Sequence, residues 1–371
     1  MKKQLLALLL AALTLCGCAK TAASPPTDTA QSSRMELRYA DQFTVEPRAD
    51  GCALVTIGGG DRFLLVPAGA QAEAEPGVTV LHTPLQKLYV ASSSAMDPLA
   101  RLDALDAVRL TGTKRDDWTL PELRRRMDEG SLLYAGKYAA PDYELLLSEG
   151  TSLAIENTMI FHSPETKEQL EALGIPVLVE RSSYEKHPLG RLEWVKLYGL
   201  LTGRAAEAEA FFDEQAALAE RVMAQESTGK SAAFFYINAN GAVSVRCPED
   251  YIATGIALAG GRYLPELPAD AGAGARSTMN LQPESFYAGA RDADVLFYNA
   301  TLGGGPDSLE ALVSKADWLA DFKAVRNGDV WCTEAELYQQ SAGIALLIGE
   351  LHQILSGTED AAALQYFHKL Q

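Results

Sequence analysis

The stretch Arg204–Gln225, RAAEAEAFFDEQAALAERVMAQ, decides how the rest of the chain is read. Ala205, Ala208, Phe212, Ala216, Ala219 and Met223 recur at spacings of three and four, which puts them on one face of a helix. Glu207, Glu209, Asp213, Glu214 and Glu220 fall mostly on the other face, and Gly203 separates this helix from the one before it. At 1.5 Å per residue the helix is about 30 Å long, the width of a small domain. Amphipathicity alone fits two architectures equally: a rod joining two α/β lobes, or a crossover helix inside one large domain. The flanking pattern decides between them.

Before the helix, strand and helix signals alternate. Lys87–Ala91, Val108–Thr111, Leu132–Ala135, Leu153–Glu156 and Val177–Glu180 read as strands. Between them lie helical stretches after Pro98, at Pro121–Glu129, Tyr143–Ser148 and Pro164–Leu173. This alternation predicts a parallel sheet with helices on both faces. After the helix the pattern begins again, with strands at Ala232–Ile237, Val243–Arg246, Val295–Asn299 and, last, Asp329–Cys332. Helices are expected at Asp250–Ala259, Glu284–Ala290 and Ala342–Leu355. The repetition favours the rod. The predicted fold is therefore α/β: two Rossmann-like lobes joined by one long helix.

The segments preceding the first lobe's sheet read differently. Arg38–Val45, Ala53–Ile57 and Arg62–Val66 are strands separated by the turns Asp50-Gly51 and Gly58-Gly59-Gly60-Asp61, an antiparallel β-hairpin decoration. The Gly-rich turn lacks the Lys-Ser/Thr of a phosphate-binding loop and leads into a strand, so it is a hairpin turn.

At the N-terminus, Lys2 and Lys3 precede an apolar run, Leu5–Leu15, too short for a bilayer span. It ends in Leu15-Cys16-Gly17-Cys18, which resembles a bacterial lipobox and makes Cys18 the lipidated residue. Residues 1–18 are thus expected to be a lipoprotein signal and 19–34 a flexible tether rich in Ala, Ser, Thr and Pro. The first lobe then covers 35–203, the joining helix 204–228 and the second lobe 229–371. The net charge of −17 excludes nucleic acid as a partner, since nothing neutralises phosphates. In the body, Cys52, Cys247 and Cys332 do not make a disulfide framework; a Cys247–Cys332 bridge and buried thiols both fit.

Several pieces together resemble the substrate-binding lipoproteins of ABC importers that handle ferric siderophores, haem and cobalamin. They are Pro141-Asp142 leading into Tyr143-Glu144-Leu145-Leu146, LEALGIPVLVE (170–180), IALAGG (256–261), ARDADVLFYN (290–299) and FKAVRNGDVW (322–331). The resemblance implies capture of such a ligand, a ferric siderophore or related iron complex, between the lobes. It further implies a monomer delivering to an ABC permease and its ATPase subunits, with no resident cofactor or metal and no catalysis. The location it implies is extracytoplasmic, with the lipid anchor as the chain's contact with the membrane. In that family an acidic residue on each lobe meets the permease, which points here to Asp97 and Glu284.

In open α/β sheets, ligands bind beyond the carboxyl ends of the strands. Those ends nominate Ser94, Met96, Lys137, Tyr138, Asn157, Met159 and Tyr184 from the first lobe, and Arg246, Tyr251 and Asn299 from the second. Tyr and Met offer large contact area, and Lys137 and Arg246 suit acidic groups. The five histidines (His82, His162, His187, His352, His368) show no metal-ligand spacing and read singly as surface or satisfied groups; His162 and His187, near strand ends in the first lobe, leave a role with haem iron open. The rival class is a surface-anchored hydrolase or adhesin, although no His-Glu-x-x-His, G-x-S-x-G or Cys-x-x-Cys motif occurs.

Overall fold

A computed structural model describes residues 35–73, 75–268, 271, 277–301 and 304–371. The signal, Cys18 and the tether lie outside the described residues.

The first sheet is β1 (Phe43–Pro47), β2 (Ala53–Ile57), β3 (Asp61–Pro67) and β4 (Thr79–Thr83). β1, β2 and β3 are antiparallel, as the turn residues require, but β4 runs parallel to β3. The hairpin read from sequence is therefore part of a four-stranded sheet. Its fourth strand was hidden because only Leu81 of β4 is fully buried, leaving little apolar pattern to read.

The second sheet is wholly parallel. It contains β5 (Leu88–Val90), β6 (Val108–Thr111), β7 (Leu133–Tyr134), β10 (Ala154–Asn157) and β11 (Val177–Glu180), in the order β11-β10-β5-β6-β7. A short hairpin, β8 (Gly136–Lys137) and β9 (Ala140–Pro141), follows β7. Its helices are α1 (Met96–Arg101), α2 (Pro121–Asp128), α3 (Tyr143–Glu149) and α4 (Pro164–Ala172). The Asp142 carboxylate caps α3 by accepting the Leu145 N–H.

Two helices, rather than one, separate this sheet from the next: α5 (Pro188–Thr202) and α6 (Ala205–Met223). Every residue of α5 except Leu200 is buried, so it carries no amphipathic period to announce it. Gly203 ends α5 in the left-handed region, where a side chain would be strained. α6 buries Ala208, Phe212, Ala216 and Ala219, the face predicted from spacing. A Cβ on Gly199 of α5 would stand 2.5 Å from that of Ala208, so the two helices approach closely only because position 199 is bare.

The third sheet is mixed. It comprises β12 (Ser231–Ile237), β13 (Val243–Arg246), β14 (Arg262–Leu264), β15 (Thr278–Leu281), β16 (Val295–Tyr298), β17 (Val330–Thr333) and β18 (Phe367–Lys369). β12, β16, β17 and β14 pair in parallel, whereas β13, β15 and β18 are antiparallel additions. β17 is thus not the last strand. β18, Phe-His-Lys, is too short to show alternation, yet it covers the edge of β17. The helices here are α7 (Tyr251–Leu258), α8 (Pro283–Ala290), α9 (Leu309–Lys315), α10 (Lys323–Asn327), α11 (Glu336–Gln339) and α12 (Ile344–Ser356). One continuous core cluster runs from Phe43 through Trp194 and Phe212 to Phe234, Ile348 and Phe367. Cys332 is a free buried thiol and the Cys247 S–H donates to the Ala271 carbonyl at 3.3 Å, so the Cys247–Cys332 bridge is not formed.

Candidate functional site

The carboxyl ends of β5, β10 and β11 converge on one buried carboxylate, that of Glu180. It accepts the Ser92 hydroxyl at 2.9 Å, the Ser94 hydroxyl at 3.2 Å and the Ser182 N–H at 2.6 Å. Asn157, opposite Glu180 in the β10–β11 register, donates to the Ala91 carbonyl at 3.3 Å and accepts the Met159 N–H at 2.9 Å. These bonds fix the three loops that leave the sheet.

Around that floor the loops carry exposed apolar and aromatic groups. Met159 and Phe161 are 47% and 48% exposed, unusual for side chains of their size. The Arg181 guanidinium lies 5.0 Å from the Tyr184 ring centroid and 5.8 Å from that of Phe161, within cation–π range of both. No carboxylate among the described residues forms an ion pair with Arg181. Arg181 and Phe161 were not nominated from sequence, because neither stands out until the loops are folded together.

Of the sequence-nominated residues, Ser94, Asn157, Met159 and Tyr184 are brought together at these strand ends. Met96 is not available to a ligand: it is fully buried in the main core. Lys137 and Tyr138 belong to the β8–β9 hairpin. Lys137 is exposed and Tyr138 packs against the core cluster that contains Leu146, and no hydrogen bond or ring contact among the described residues joins either to the group.

The second set gathers at the ends of β13 and β16. Arg246 is buried, pairs with Asp250 at 3.4 Å, donates to the Tyr338 hydroxyl and lies 5.3 Å from the Phe234 ring centroid. Asn299 is buried and donates to the same Tyr338 hydroxyl at 3.1 Å. Tyr251 is buried beneath the Arg191 guanidinium of α5, 4.6 Å from its ring centroid. Arg246 is therefore committed to an internal network and does not present a free charge. This corrects the expectation that it meets an acidic ligand.

The segment after α11 ties the two sets together. Ser341 donates to the Ser94 carbonyl at 2.6 Å, Ala342 N–H to Asp97 at 2.9 Å, and Gln339 accepts the Thr119 N–H at 2.8 Å. Asp97 is 1% exposed and also pairs with Arg101 at 3.3 Å. The reading of Asp97 as a surface charge is corrected by this burial, which the strap from the other half imposes. Glu284 is exposed in the first turn of α8.

The histidines are placed as ordinary structural groups. His187 accepts the Leu189 N–H at 3.1 Å to cap α5 and stacks on Tyr39 at 4.5 Å, and burial lowers its pKa. His162 is exposed. Among the described residues, no group of three or more His, Cys, Asp or Glu side chains is arranged to hold a metal ion.

The chain has the TroA-like periplasmic-binding-protein fold. It superposes on the periplasmic haem-binding protein HutB of Vibrio cholerae with a TM-score of 0.59 and 17% identity, covering 74% of this chain and 98% of that one. The TroA-like protein FepB of Veillonella parvula gives 0.59 and 14% identity over 80% of this chain and 98% of its own. The periplasmic vitamin B12-binding protein BtuF of Vibrio cholerae gives 0.52 and 14% over 75% and 99%. In sequence, two uncharacterized lipoproteins of Methanocaldococcus jannaschii are each 23% identical. One match covers 90% of this chain and 87% of the relative, the other 76% and 68%. No protein-family profile matches the chain.

Proposed function

We propose that this chain is an extracytoplasmic solute-binding lipoprotein of an ABC importer, held to the membrane through Cys18 and without catalytic activity. Each α/β sheet with its helices forms a lobe, α5 and α6 span between them, and the ligand sits in the interlobe cleft. The ligand is a ferric siderophore or a related complex, haem and cobalamin among them, which the protein delivers to a permease. The observation carrying this reading is the group Met159, Phe161, Arg181 and Tyr184. A bulky ligand with apolar area and an acidic group suits two exposed apolar side chains beside a cation that pairs with no carboxylate among the described residues. Solved proteins of the same fold whose names state haem or vitamin B12 binding support the choice of ligand class.

The test is thermal denaturation of the purified protein with haemin, cyanocobalamin and ferric citrate, together with an absorbance spectrum and mass spectrometry of whatever co-purifies. A ligand present at a hundred times its Kd adds about 2.7 kcal/mol of stability. Turnover of an ester or glycoside without stabilisation by any of the three would instead identify a hydrolase.

A further inference from the structure

The N-terminal sheet is joined to the candidate site through a chain of contacts that runs to a single guanidinium. Five consecutive backbone N–H groups, Arg38 to Gln42, are taken up by two buried carboxylates. Glu193 accepts those of Arg38, Tyr39 and Ala40 at 2.8–3.0 Å, and Glu185 those of Asp41 and Gln42 at 2.8 and 3.1 Å. Farther along, Lys167 of α4 pairs with Asp61 at the start of β3, 3.1 Å away. Phe43 pairs with Ile57 and Ile57 with Asp61, so both fastenings lie at the turn end of the β2–β3 hairpin.

Between these fastenings the Gly58 N–H donates to the Gln42 carbonyl at 2.7 Å, and the Gln42 side-chain oxygen accepts the Arg181 Nε–H at 3.2 Å. The Gln42 amide nitrogen donates to Asp41 at 2.6 Å, which fixes which way the amide faces. Gly58 has φ +55, and a Cβ there would lie 2.7 Å from Arg181 Nε and 2.9 Å from its Cζ. The guanidinium therefore occupies space that only a glycine leaves open. Its Nε is used by Gln42 and its faces are covered by Tyr184 and Phe161. Its two terminal nitrogens meet no protein acceptor among the described residues.

We infer that the N-terminal sheet forms one wall of the ligand site, with Gly58 and Gln42 as positioning residues that aim Arg181 at an oxyanionic group of the ligand, a carboxylate or a phosphate. This rests on the solute-binding reading above. A guanidinium held by its Nε keeps its outer edge for two parallel N–H···O bonds, the arrangement that suits such groups. The surroundings argue the same way: the chain carries 49 acidic residues against 32 basic ones, yet this arginine has no ion-pair partner among the described residues.

A matched pair of glycine substitutions isolates the effect. Gly58→Ala and Gly59→Ala both put a side chain at positive φ, but a Cβ at Gly59 meets nothing within 4 Å. In the full chain in detergent, modification of Arg181 by phenylglyoxal, read by mass spectrometry, should rise with Gly58→Ala and Gln42→Leu and stay at the parent level with Gly59→Ala. Binding of haemin, its dimethyl ester and cyanocobalamin is then titrated. Gly58→Ala and Arg181→Ala should weaken a bound probe about tenfold, or about 1.4 kcal/mol, with Gly59→Ala unchanged. Loss of the difference between haemin and its ester assigns the contact to a carboxylate; weakening of cyanocobalamin assigns it to a phosphate. If the parent binds a probe and Gly58→Ala behaves as Gly59→Ala in both measurements, the inference is overturned while the solute-binding reading stands. If the parent binds none of these and ferric citrate does not stabilise it either, both fall.

Discussion

Glu193, in the middle of α5, accepts the backbone N–H of Tyr39 at 2.8 Å, 154 residues away in sequence. Its other partners are the N–H groups of Arg38 and Ala40 and the buried Lys196 ammonium at 2.8 Å. A carboxylate so occupied satisfies groups that would otherwise be buried without partners. Glu193→Ala should therefore lower unfolding free energy by about 3–5 kcal/mol, the cost of leaving one member of a buried ion pair alone. Urea denaturation measures it, and a loss below about 1 kcal/mol would mean that other contacts hold the segment.

Glu156 provides a pH signature. Neither oxygen finds a hydrogen-bond donor among the described residues, and burial pushes its carboxyl pKa up to about 8. The folded state holds the proton that the unfolded state releases near the ordinary glutamate value. The stability contributed by this group is complete below that value and is lost as pH rises through about 8. The slope approaches 1.4 kcal/mol per pH unit within the window. Glu156→Gln should match the parent at pH 4.5 and exceed it at pH 9 in thermal melts. Parallel curves for the two proteins would exclude the protonated form.

Asp97 and Glu284 should part company on charge reversal. Asp97→Lys places a cation at a site only 1% exposed and removes the acceptor of the Ala342 N–H, so it should cost at least ~3 kcal/mol of stability. Glu284→Lys, at an exposed helix start, should leave the melting temperature within a few degrees while reducing permease-dependent uptake. Normal uptake with a well-folded Glu284→Lys protein would remove Glu284 from the docking surface.

Arg246→Ala should act on folding before it acts on any ligand. It strands the buried Asp250 carboxylate and empties a space beside Phe234 and Tyr338, for a loss on the order of 3 kcal/mol. An Arg246→Ala protein that keeps parental stability but loses ligand affinity would return this residue to the site.

Anchoring through Cys18 is tested by fractionation. Cys18→Ser should move the protein from the membrane to the soluble fraction, since two or three acyl chains at about 0.8 kcal/mol per methylene supply the attachment. Unchanged membrane association would exclude the lipid at that residue.

What was legible in the sequence followed period and punctuation. The strands 108–111, 177–180 and 243–246 were each bounded by helical stretches or turns, and the face of α6 was written in its alanines. α5 was marked only by the Gly203 break that ends it, and its extent was not, because a helix buried along nearly its whole length has no wet face to mark it. Asp97 misled for the opposite reason: at a helix start it reads as a surface charge, and only the strap at Ser341–Ala342, some 245 residues later, buries it. Arg246 carried a legible clue in Asp250 four residues on, a ready partner for it. Arg181 could not be singled out, since its value depends on Gln42 and Gly58 from an added sheet.

The five captured amides of Arg38–Gln42 bear on how this protein can be handled as a piece of engineering. The N-terminal sheet resembles an optional module, and a designer trimming the chain to a minimal two-lobed binder would cut it away. Doing so would take away five backbone N–H donors and leave Glu193 with only the Lys196 ammonium and Glu185 with only the Trp194 Nε1–H, at and just before α5, a helix buried along almost its whole length. A truncated gene product starting at Thr79 would therefore be expected to go to inclusion bodies, and any fusion, tag or permuted terminus belongs upstream of Arg38.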